Sequence, residues 1–240
     1  ARIRRRAPRT SVHTRLVLVT TLGLLVVGWA LFMAFEWSHE LADLPLLHKV
    51  TNAFFMSVTP RTAGFNTVDY GQVSNPTLFL TILLMVVGGS PGSTAGGLKT
   101  VTLVTLLLAV WARVHGRVDV TAFGRSLPPE TVGRAAGLAV GGLFLLAAMV
   151  FLLLVTESSG TGYGDRRHLI DLVFEAHSAF GTVGLSTGIT PSVTPAGRLV
   201  LVFLMFAGRV GPAALVVAMI SAADRRRLPY RFGREDVMLG

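Results

Sequence analysis

The stretch Ser57-Val58-Thr59-Pro60-Arg61-Thr62-Ala63-Gly64-Phe65-Asn66 decides how the whole sequence is interpreted. A related stretch is Ser178-Ala179-Phe180-Gly181-Thr182-Val183-Gly184-Leu185-Ser186. The two align at residues 62–65 and 182–185 as threonine, any residue, glycine and a hydrophobic residue, and we call these segments the first and second Thr-x-Gly loops. This pattern is typical of an ion-selectivity loop, in which backbone carbonyls replace the water shell of a cation.

The composition predicts an all-α integral membrane protein in contact with lipid. Of the 240 residues, 51% are hydrophobic and 15% are charged. The apolar residues form blocks approaching or exceeding about 18 residues, which indicate transmembrane helices. The net charge of +9 would suit nucleic acid, but the basic residues stand at the ends of the apolar blocks, so no nucleic-acid partner is predicted. The absence of cysteine excludes disulfides, thiolate metal sites and cysteine catalysis.

The apolar blocks predict a unit of span, short helix, loop and span that occurs twice. The predicted helices cover residues 16–35, 46–58, 76–87 and 98–111 in the first unit, and 134–156, 169–181 and 196–222 in the second. The predicted segments are a basic cytoplasmic segment at 1–15, the first unit at 16–115, a cytoplasmic linker at 116–130, the second unit at 131–223 and a cytoplasmic tail at 224–240. Arginine is concentrated in the cytoplasmic segments, as the positive-inside rule requires, and Glu36 is expected just beyond the first span on the outside.

The placement of the short helix at 46–58 is ambiguous from its own sequence. At 1.5 Å per residue it covers about 20 Å, which is too short to cross the apolar core. The glycine-bearing loop after it predicts a re-entrant hairpin, which lipid tolerates only where other protein surrounds it. An interfacial helix followed by an external loop is the alternative that this segment leaves open.

Carbonyl ligands in the two Thr-x-Gly loops would suit a potassium ion. A dehydrated potassium ion needs several oxygen ligands without a trapping charge, and glycine allows the backbone angles that direct successive carbonyls to one axis. The short helices would direct the partial negative charge of their carboxyl-terminal ends towards the ion. A lone Thr-x-Gly is more often an ordinary loop, but two copies at matched positions favour the filter. The predicted ion-binding residues are Thr62, Ala63, Gly64, Phe65, Thr182, Val183, Gly184 and Leu185.

A run of small residues at 88–97, here called the small-residue loop, interrupts the last crossing of the first unit, where no regular helix would favour it. We predict a flexible intramembrane loop that crosses the pore below the filter and serves as a gate. The predicted gate residues are Gly88, Gly89, Ser90, Gly92, Ser93, Thr94, Ala95, Gly96, Gly97, Lys99 and Arg209. A phosphate-binding Walker A loop is the competing interpretation, and it fails because Leu98 stands where the lysine should follow the glycine.

Two cations fall within apolar segments. Arg209 lies about mid-span, where a charge costs roughly 3 kcal/mol on insertion scales, so it should face a partner or a wet cavity. We predict that it contacts the small-residue loop and raises a positive barrier in the pore, the alternative being a purely structural contact with loop carbonyls. Lys99 is expected to extend towards the cytoplasmic side.

The remaining polar residues carry no catalytic pattern. The six histidines lack metal-ligand spacing, and Glu175 is most simply a solvated or hydrogen-bonded carboxylate. We therefore predict that the protein is not an enzyme.

The segments 57–66, 88–100, 182–188 and 208–212 resemble the Trk/Ktr/HKT superfamily of potassium transporters, and most closely the membrane subunit of the bacterial Ktr system. The resemblance implies M1-P-M2 units, in which M1 and M2 are spans and P is a re-entrant pore helix, with one filter glycine per unit. It implies Gly64 and Gly184 as filter glycines, 88–97 as the gating loop and Arg209 as a pore arginine. It further implies potassium uptake, often sodium-assisted, in a bacterial plasma membrane, by homodimers regulated by a cytosolic nucleotide-binding ring. No covalently bound cofactor is implied.

The sequence departs from the family in one respect. Members carry four M1-P-M2 units, and this sequence has two, matching the third and fourth, so it would form half of a pseudo-fourfold pore. We expect the carboxyl-terminal half of a longer protein, the alternative being a pore made from two copies. Two other functions stay open: a non-transporting membrane partner that docks a regulatory ring, and a nucleotide hydrolase that uses Lys99.

Overall fold

The computed structural model describes the backbone of residues 10–158 and 166–224, and the side chains of residues 10–158 and 169–210. The predicted basic segment up to residue 9 and the tail after residue 224 lie outside the described residues. In the described ranges the chain forms helices α1 (Val12–Glu36), α2 (Leu46–Val58), α3 (Asn75–Val86), α4 (Thr100–Val114), α5 (Pro129–Glu157), α6 (Arg166–Gly181) and α7 (Pro195–Asp224).

The helices follow the predicted order and differ mainly at their ends. α2 has the predicted bounds, because Pro45 directly before it fixes its start. α4 begins at Thr100 and not at residue 98, since Leu98 pairs with the preceding chain. Among the described helices, α1 and α5 are long and apolar enough to span a membrane. The apolar helices α3 and α4 have 12 and 15 residues and are joined by the small-residue loop, as predicted for a broken crossing.

The two units pack by the same plan. α2 and α3 pack on α1, while α6 packs between α5 and α7. The units are joined where α3 meets α6 and where α4 meets α5. Large apolar side chains such as Leu18, Leu22 and Phe144 remain exposed on the outside of the bundle, which is the expected surface for contact with lipid tails.

The first unit sends its short helix back along its own long helix. Ser57 Oγ donates to the carbonyl of Leu25 at 2.7 Å, and Arg61 Nη1 donates to the carbonyl of Thr21 at 3.3 Å. Leu25 stands 11 positions before Glu36, the last residue of α1. At 1.5 Å per residue, Ser57 near the end of α2 therefore lies about 16 Å along α1 from the end at which the chain left it.

The chain then returns to the end of α1 and is held there by Glu36. The Glu36 carboxylate accepts hydrogen bonds from Ser74 N at 3.0 Å, from Ser74 Oγ at 2.6 Å and from the Thr77 hydroxyl at 2.5 Å. It thereby caps the amino-terminal end of α3. The prediction that Glu36 lies beyond the first span is wrong: it is the last residue of α1 and is fully buried.

The second unit contains the same cap and the same descent. Glu157 at the end of α5 accepts from Thr194 N at 3.2 Å and from Thr194 Oγ at 2.6 Å, directly before α7. Farther along α7, Gly208 approaches Phe180 so closely that a Cβ on Gly208 would overlap the Phe180 carbonyl. Gly208 is 13 positions after Pro195, so the end of α6 lies about 20 Å down α7.

A two-stranded hairpin is the element that the all-helical prediction lacks. Strands β1 (Thr121–Ala122) and β2 (Arg125–Ser126) pair within the predicted linker at 116–130. Phe123 and Gly124 connect them with φ of 50° and 75°, the left-handed pair that a tight two-residue hairpin turn requires. The sequence did not predict these strands, because two residues are too few to show the alternation of polar and apolar side chains that marks a strand.

Candidate ion-binding site

The two Thr-x-Gly loops share an unusual backbone conformation. φ is 74° at Thr62 and 76° at Gly64 in the first loop, and 51° at Thr182 and 96° at Gly184 in the second. A positive φ is uncommon for a threonine, and it occurs here at the same position of both loops. Left-handed residues that alternate with others rotate successive peptide groups, so neighbouring carbonyls can face one side of the chain.

The two loops lie against each other. A Cβ on Gly184 would be 3.5 Å from Gly64 Cα, which is ordinary contact distance. A Cβ on Gly64 would overlap the carbonyl oxygen of Val183, so position 64 admits only glycine. Segments that the sequence separates by 120 positions are thus adjacent walls of one site.

The carbonyls of these loops are mostly unpaired. Within the described part of the chain, no donor bonds to seven of the eight predicted ligand carbonyls, those of Thr62, Ala63, Gly64, Thr182, Val183, Gly184 and Leu185. The Phe65 carbonyl differs, because it accepts a hydrogen bond from the Thr59 hydroxyl. Unpaired carbonyls gathered at two adjacent loops are ligands of the type that a desolvated monovalent cation takes.

The ends of the short helices hold the loops in place. Ala63 N donates to the Thr59 carbonyl at 3.2 Å, and Val183 N donates to the Ser178 carbonyl at 2.9 Å. The Ser178 hydroxyl also accepts from Gly184 N at 3.2 Å. Each loop therefore begins at the carboxyl-terminal end of its helix, where the partial charge of the helix is negative.

Glu175 supports the second loop from behind. Its carboxylate is buried and accepts hydrogen bonds from the hydroxyls of Ser186 and, at 3.0 Å, Thr190. This confirms the hydrogen-bonded carboxylate that the sequence analysis expected. The position that corresponds to Glu175 in the first unit, 120 residues earlier, is Phe55, so the two walls are supported by different chemistry.

Two clefts share Arg209 in their lining. One of about 470 Å³ is lined by the second Thr-x-Gly loop and Glu175. The other, of about 340 Å³, is lined by the small-residue loop, Lys99 and Leu138. Arg209 lines both clefts, so it stands at the boundary between the loop and the Thr-x-Gly site.

The small-residue loop is anchored at its base. Gly88 N donates to the Leu98 carbonyl at 2.8 Å, Leu98 N to the Val86 carbonyl at 3.0 Å and Thr100 N to the Gly89 carbonyl at 3.2 Å. Only the tip at 91–94 is exposed. The predicted flexibility can therefore reside in the tip alone, because releasing the base would break this ladder.

Both predicted cations bond to carbonyls of this loop. Arg209 Nη1 donates to the Thr94 carbonyl, so the predicted contact with the loop is present. The Lys99 ammonium donates to the Ala95 carbonyl and does not extend towards the cytoplasmic side as expected. Adjacent peptide groups of the loop are thus each held by a positive charge.

Comparison with known proteins now bears on this arrangement. The family model described as TrkH, a cation transport protein, matches residues 10–226. The chain belongs to the TrkH family. It is 40% identical to the potassium/sodium uptake protein NtpJ of Enterococcus hirae, a match covering 98% of this chain and 51% of that protein. It is 36% identical to the Ktr system potassium uptake protein B of Bacillus subtilis, with the same coverage.

The solved structure of the potassium transporter TrkH from Vibrio parahaemolyticus has the same fold. The TM-score is 0.65 at 20% identity, and the match covers 86% of this chain and 44% of that one. The chain spans about half the length of the curated relatives it matches. These matches confirm the resemblance to the Trk/Ktr/HKT superfamily and the membership of a family of multi-pass plasma-membrane proteins. The matched relatives are named as uptake proteins, in agreement with the prediction of a transport protein and not an enzyme.

The sequence analysis missed the two capping glutamates. The signal was present as Ser74-Asn75-Pro76 and Thr194-Pro195, each a capping residue followed closely by proline at a helix start. What the sequence does not show is that a glutamate from the end of the preceding long helix completes each cap.

Proposed function

We propose that this chain supplies two of the four walls of a cation pore that takes up potassium. The observation that carries the proposal is the meeting of the two Thr-x-Gly loops, with threonine and glycine left-handed in each and seven carbonyls unpaired among the described residues. The other two walls come from outside these 240 residues, from the same longer polypeptide or from a second copy. The resemblance to four-unit transporters and the half-length matches support this division.

We infer that α2 and α6 are re-entrant pore helices. Their ends lie about 16 Å and about 20 Å from the ends of α1 and α7 at which the chain turns, distances that exceed an interfacial layer. An interfacial helix with an external loop would keep Arg61 near the outer end of α1, and Arg61 bonds instead to Thr21. The units at 16–115 and 131–223 would then be M1-P-M2 repeats.

The small-residue loop is the proposed gate. It lies against the second Thr-x-Gly loop, and its exposed tip is held by Arg209. A tip without large side chains can move while its base stays paired, and Arg209 adds a positive charge beside the path of the ion. Both features support a closed state that must be released for conduction.

The relatives suggest the cargo and the partners. The Enterococcus hirae protein is named for potassium and sodium, and the Bacillus subtilis proteins for potassium. We propose potassium as the transported ion, with sodium as a second ion. From the resemblance to the Ktr system we further propose a homodimer of full-length protomers that binds a cytosolic nucleotide-binding ring.

Growth of a potassium-uptake-deficient bacterium tests the proposal. We expect the full-length protein to restore growth at limiting potassium, and Gly64→Asp and Gly184→Asp each to abolish it, because a carboxylate at the filter would trap the cation and displace the carbonyls. Gly137→Ala is the matched control, since a Cβ there meets nothing within 4 Å. Full growth with both aspartate variants would remove the filter assignment. Correct membrane insertion without uptake by the parent protein would favour the non-transporting partner.

A further inference from the structure

One hydrogen bond joins the small-residue loop directly to the second Thr-x-Gly loop. Gly96 N donates to Thr182 Oγ1 at 3.0 Å, and the two residues are 86 positions apart in the sequence. The two residues come from different units of the chain. The bond therefore links the loop proposed as a gate to a residue proposed as a filter ligand.

The close approach depends on Gly96. A Cβ on Gly96 would be 2.8 Å from both the Gly181 carbonyl oxygen and Thr182 Oγ1, closer than real Cβ contacts. Neither neighbour can withdraw freely, since Gly181 itself packs against the Met85 carbonyl, to which a Cβ on Gly181 would come within 2.8 Å. The small-residue loop and the end of α6 are thus in close backbone contact that leaves no room for a side chain at position 96.

The corresponding threonine of the first loop has no such bond. Within residues 10–158 and 166–224, no hydrogen bond to the Thr62 hydroxyl is found, although Thr62 and Thr182 have the same left-handed backbone. The chain thus carries an internal comparison: two equivalent filter threonines, one bonded to the loop and one not.

The positive charges that bind the small-residue loop also oppose a cation at Thr182. Arg209 and Lys99 hold the carbonyls of Thr94 and Ala95, and the next amide, that of Gly96, is directed to Thr182. A positively polarised N–H beside the threonine oxygen disfavours a cation at that oxygen, because it occupies one lone pair and repels positive charge. A cation bound there must in turn disfavour the docked loop, since coupling between two sites is reciprocal.

We propose that the Gly96–Thr182 bond couples the loop to ion occupancy at the inner end of the filter. This inference rests on the proposed function and deepens it: potassium at Thr182 releases the loop, and the docked loop lowers the affinity for potassium at that position. The first Thr-x-Gly loop contributes ligands but takes no part in this coupling.

Reactivity of a cysteine on the loop tip tests the coupling. These 240 residues contain no cysteine, so Thr94→Cys in the full-length protein, with any cysteine elsewhere replaced, is a single reporter on an exposed position. Its modification by a charged methanethiosulfonate reagent in inside-out vesicles is compared in potassium and in N-methylglucamine. We expect potassium to accelerate modification by about 2- to 10-fold, the factor that one neutral hydrogen bond supplies.

Three second-site variants make the test specific. Thr182→Val removes the acceptor, so the reporter should react fast with or without potassium, and Thr182→Ser should restore the potassium dependence. Gly96→Ala forces the loop away from Gly181 and Thr182 and should also react fast in both media. Thr62→Val is the matched control, because it removes the equivalent hydroxyl of the first loop and keeps the Gly96–Thr182 bond, so the reporter should still react slowly without potassium.

The outcomes separate this inference from the proposed function. If vesicles carry potassium flux but Thr182→Val responds to potassium as Thr62→Val does, the coupling is overturned while the pore stands. An unchanged reporter in the two media, with flux present, overturns the coupling in the same way. Absence of both flux and any potassium effect in the Thr94→Cys parent contradicts the proposed function itself.

Discussion

At the scale of single residues, the site depends on glycines that let the two Thr-x-Gly loops approach each other. Gly64 and Gly184 share a left-handed φ, but their surroundings differ. A methyl group at Gly64 overlaps a carbonyl of the second loop, whereas one at Gly184 would meet only ordinary contacts at 3.5 Å and beyond. The two filter glycines are therefore not equally constrained, even though the sequence motif treats them alike.

This difference predicts unequal damage by alanine. Gly184→Ala costs the strain of a left-handed alanine, roughly 1–2 kcal/mol, and should retain part of the potassium uptake. Gly64→Ala adds a steric overlap and should lose uptake almost completely. Initial uptake rates, normalised to protein in the membrane, measure the effect. Equal rates for the two variants would contradict the packing described here.

Glu175 is expected to support the second Thr-x-Gly loop through its hydrogen bonds to two hydroxyl groups. Glu175→Ala leaves the Ser186 and Thr190 hydroxyls without their acceptor and should lower both the potassium-to-sodium selectivity and the melting temperature. Glu175→Gln keeps one acceptor oxygen and should have a smaller effect. Asp171→Asn, one turn earlier on the same helix, is the control. Selectivity is read from competition of sodium with potassium uptake, and an unaltered ratio in the alanine variant would show that the second loop does not need this support.

At the scale of helices, the two buried glutamates tie each long helix to the helix that follows its loop. Glu36 caps α3 and Glu157 caps the start of α7. Each contact therefore joins the end of a long helix to the point at which the chain returns after the short helix and its loop. Because Glu36 accepts from Ser74 and from the buried Thr77, and Glu157 accepts from Thr194 by both its amide and its hydroxyl, each joint should contribute more than an exposed cap does.

Removing either glutamate should therefore destabilise the fold. Glu36→Ala and Glu157→Ala are each expected to cost about 1–3 kcal/mol, the usual penalty for unsatisfied buried donors. Thermal unfolding in detergent measures this, with the exposed Asp43→Ala as the control. Melting temperatures that match the control would mean that water replaces the carboxylates without loss.

The small-residue loop yields a prediction about Arg209. Arg209→Ala removes the donor to the Thr94 carbonyl and a positive charge beside the path of the ion, so potassium flux should rise. Arg209→Lys keeps the charge and should stay near the parent rate. Initial flux in liposomes distinguishes them. No change in the alanine variant would assign the arginine a structural role, the alternative that its sequence left open.

At the scale of the whole molecule, features that neighbouring residues determine could be predicted from the sequence. Contacts between residues far apart in the sequence could not. The bounds of α2 are local, set by Pro45 before it and by Pro60 and the glycine-bearing loop after it, and were predicted without error. The partner of Glu36 lies 38 positions away and that of Gly96 lies 86 away, so no periodicity reveals either contact. The repeated order of helices could be predicted, because the same pattern occurs twice in the sequence and each copy limits how the other can be interpreted.

The size of the chain bears on its function. It belongs to the TrkH family over most of its length, yet spans about half of the relatives it matches. Its two units place two Thr-x-Gly loops against each other. Under the proposed function, a complete ring of ligands needs two further walls, and selectivity between potassium and sodium depends partly on them.

The central claim is that the paired Thr-x-Gly loops conduct potassium, and flux through the purified full-length protein in liposomes tests it most directly. We predict potassium flux well above that of empty liposomes, reduced to the empty level by Gly64→Asp and by Gly184→Asp, and preserved by Gly137→Ala. Flux that persists in both aspartate variants would contradict the account, because ions would then cross by a path that these loops do not line.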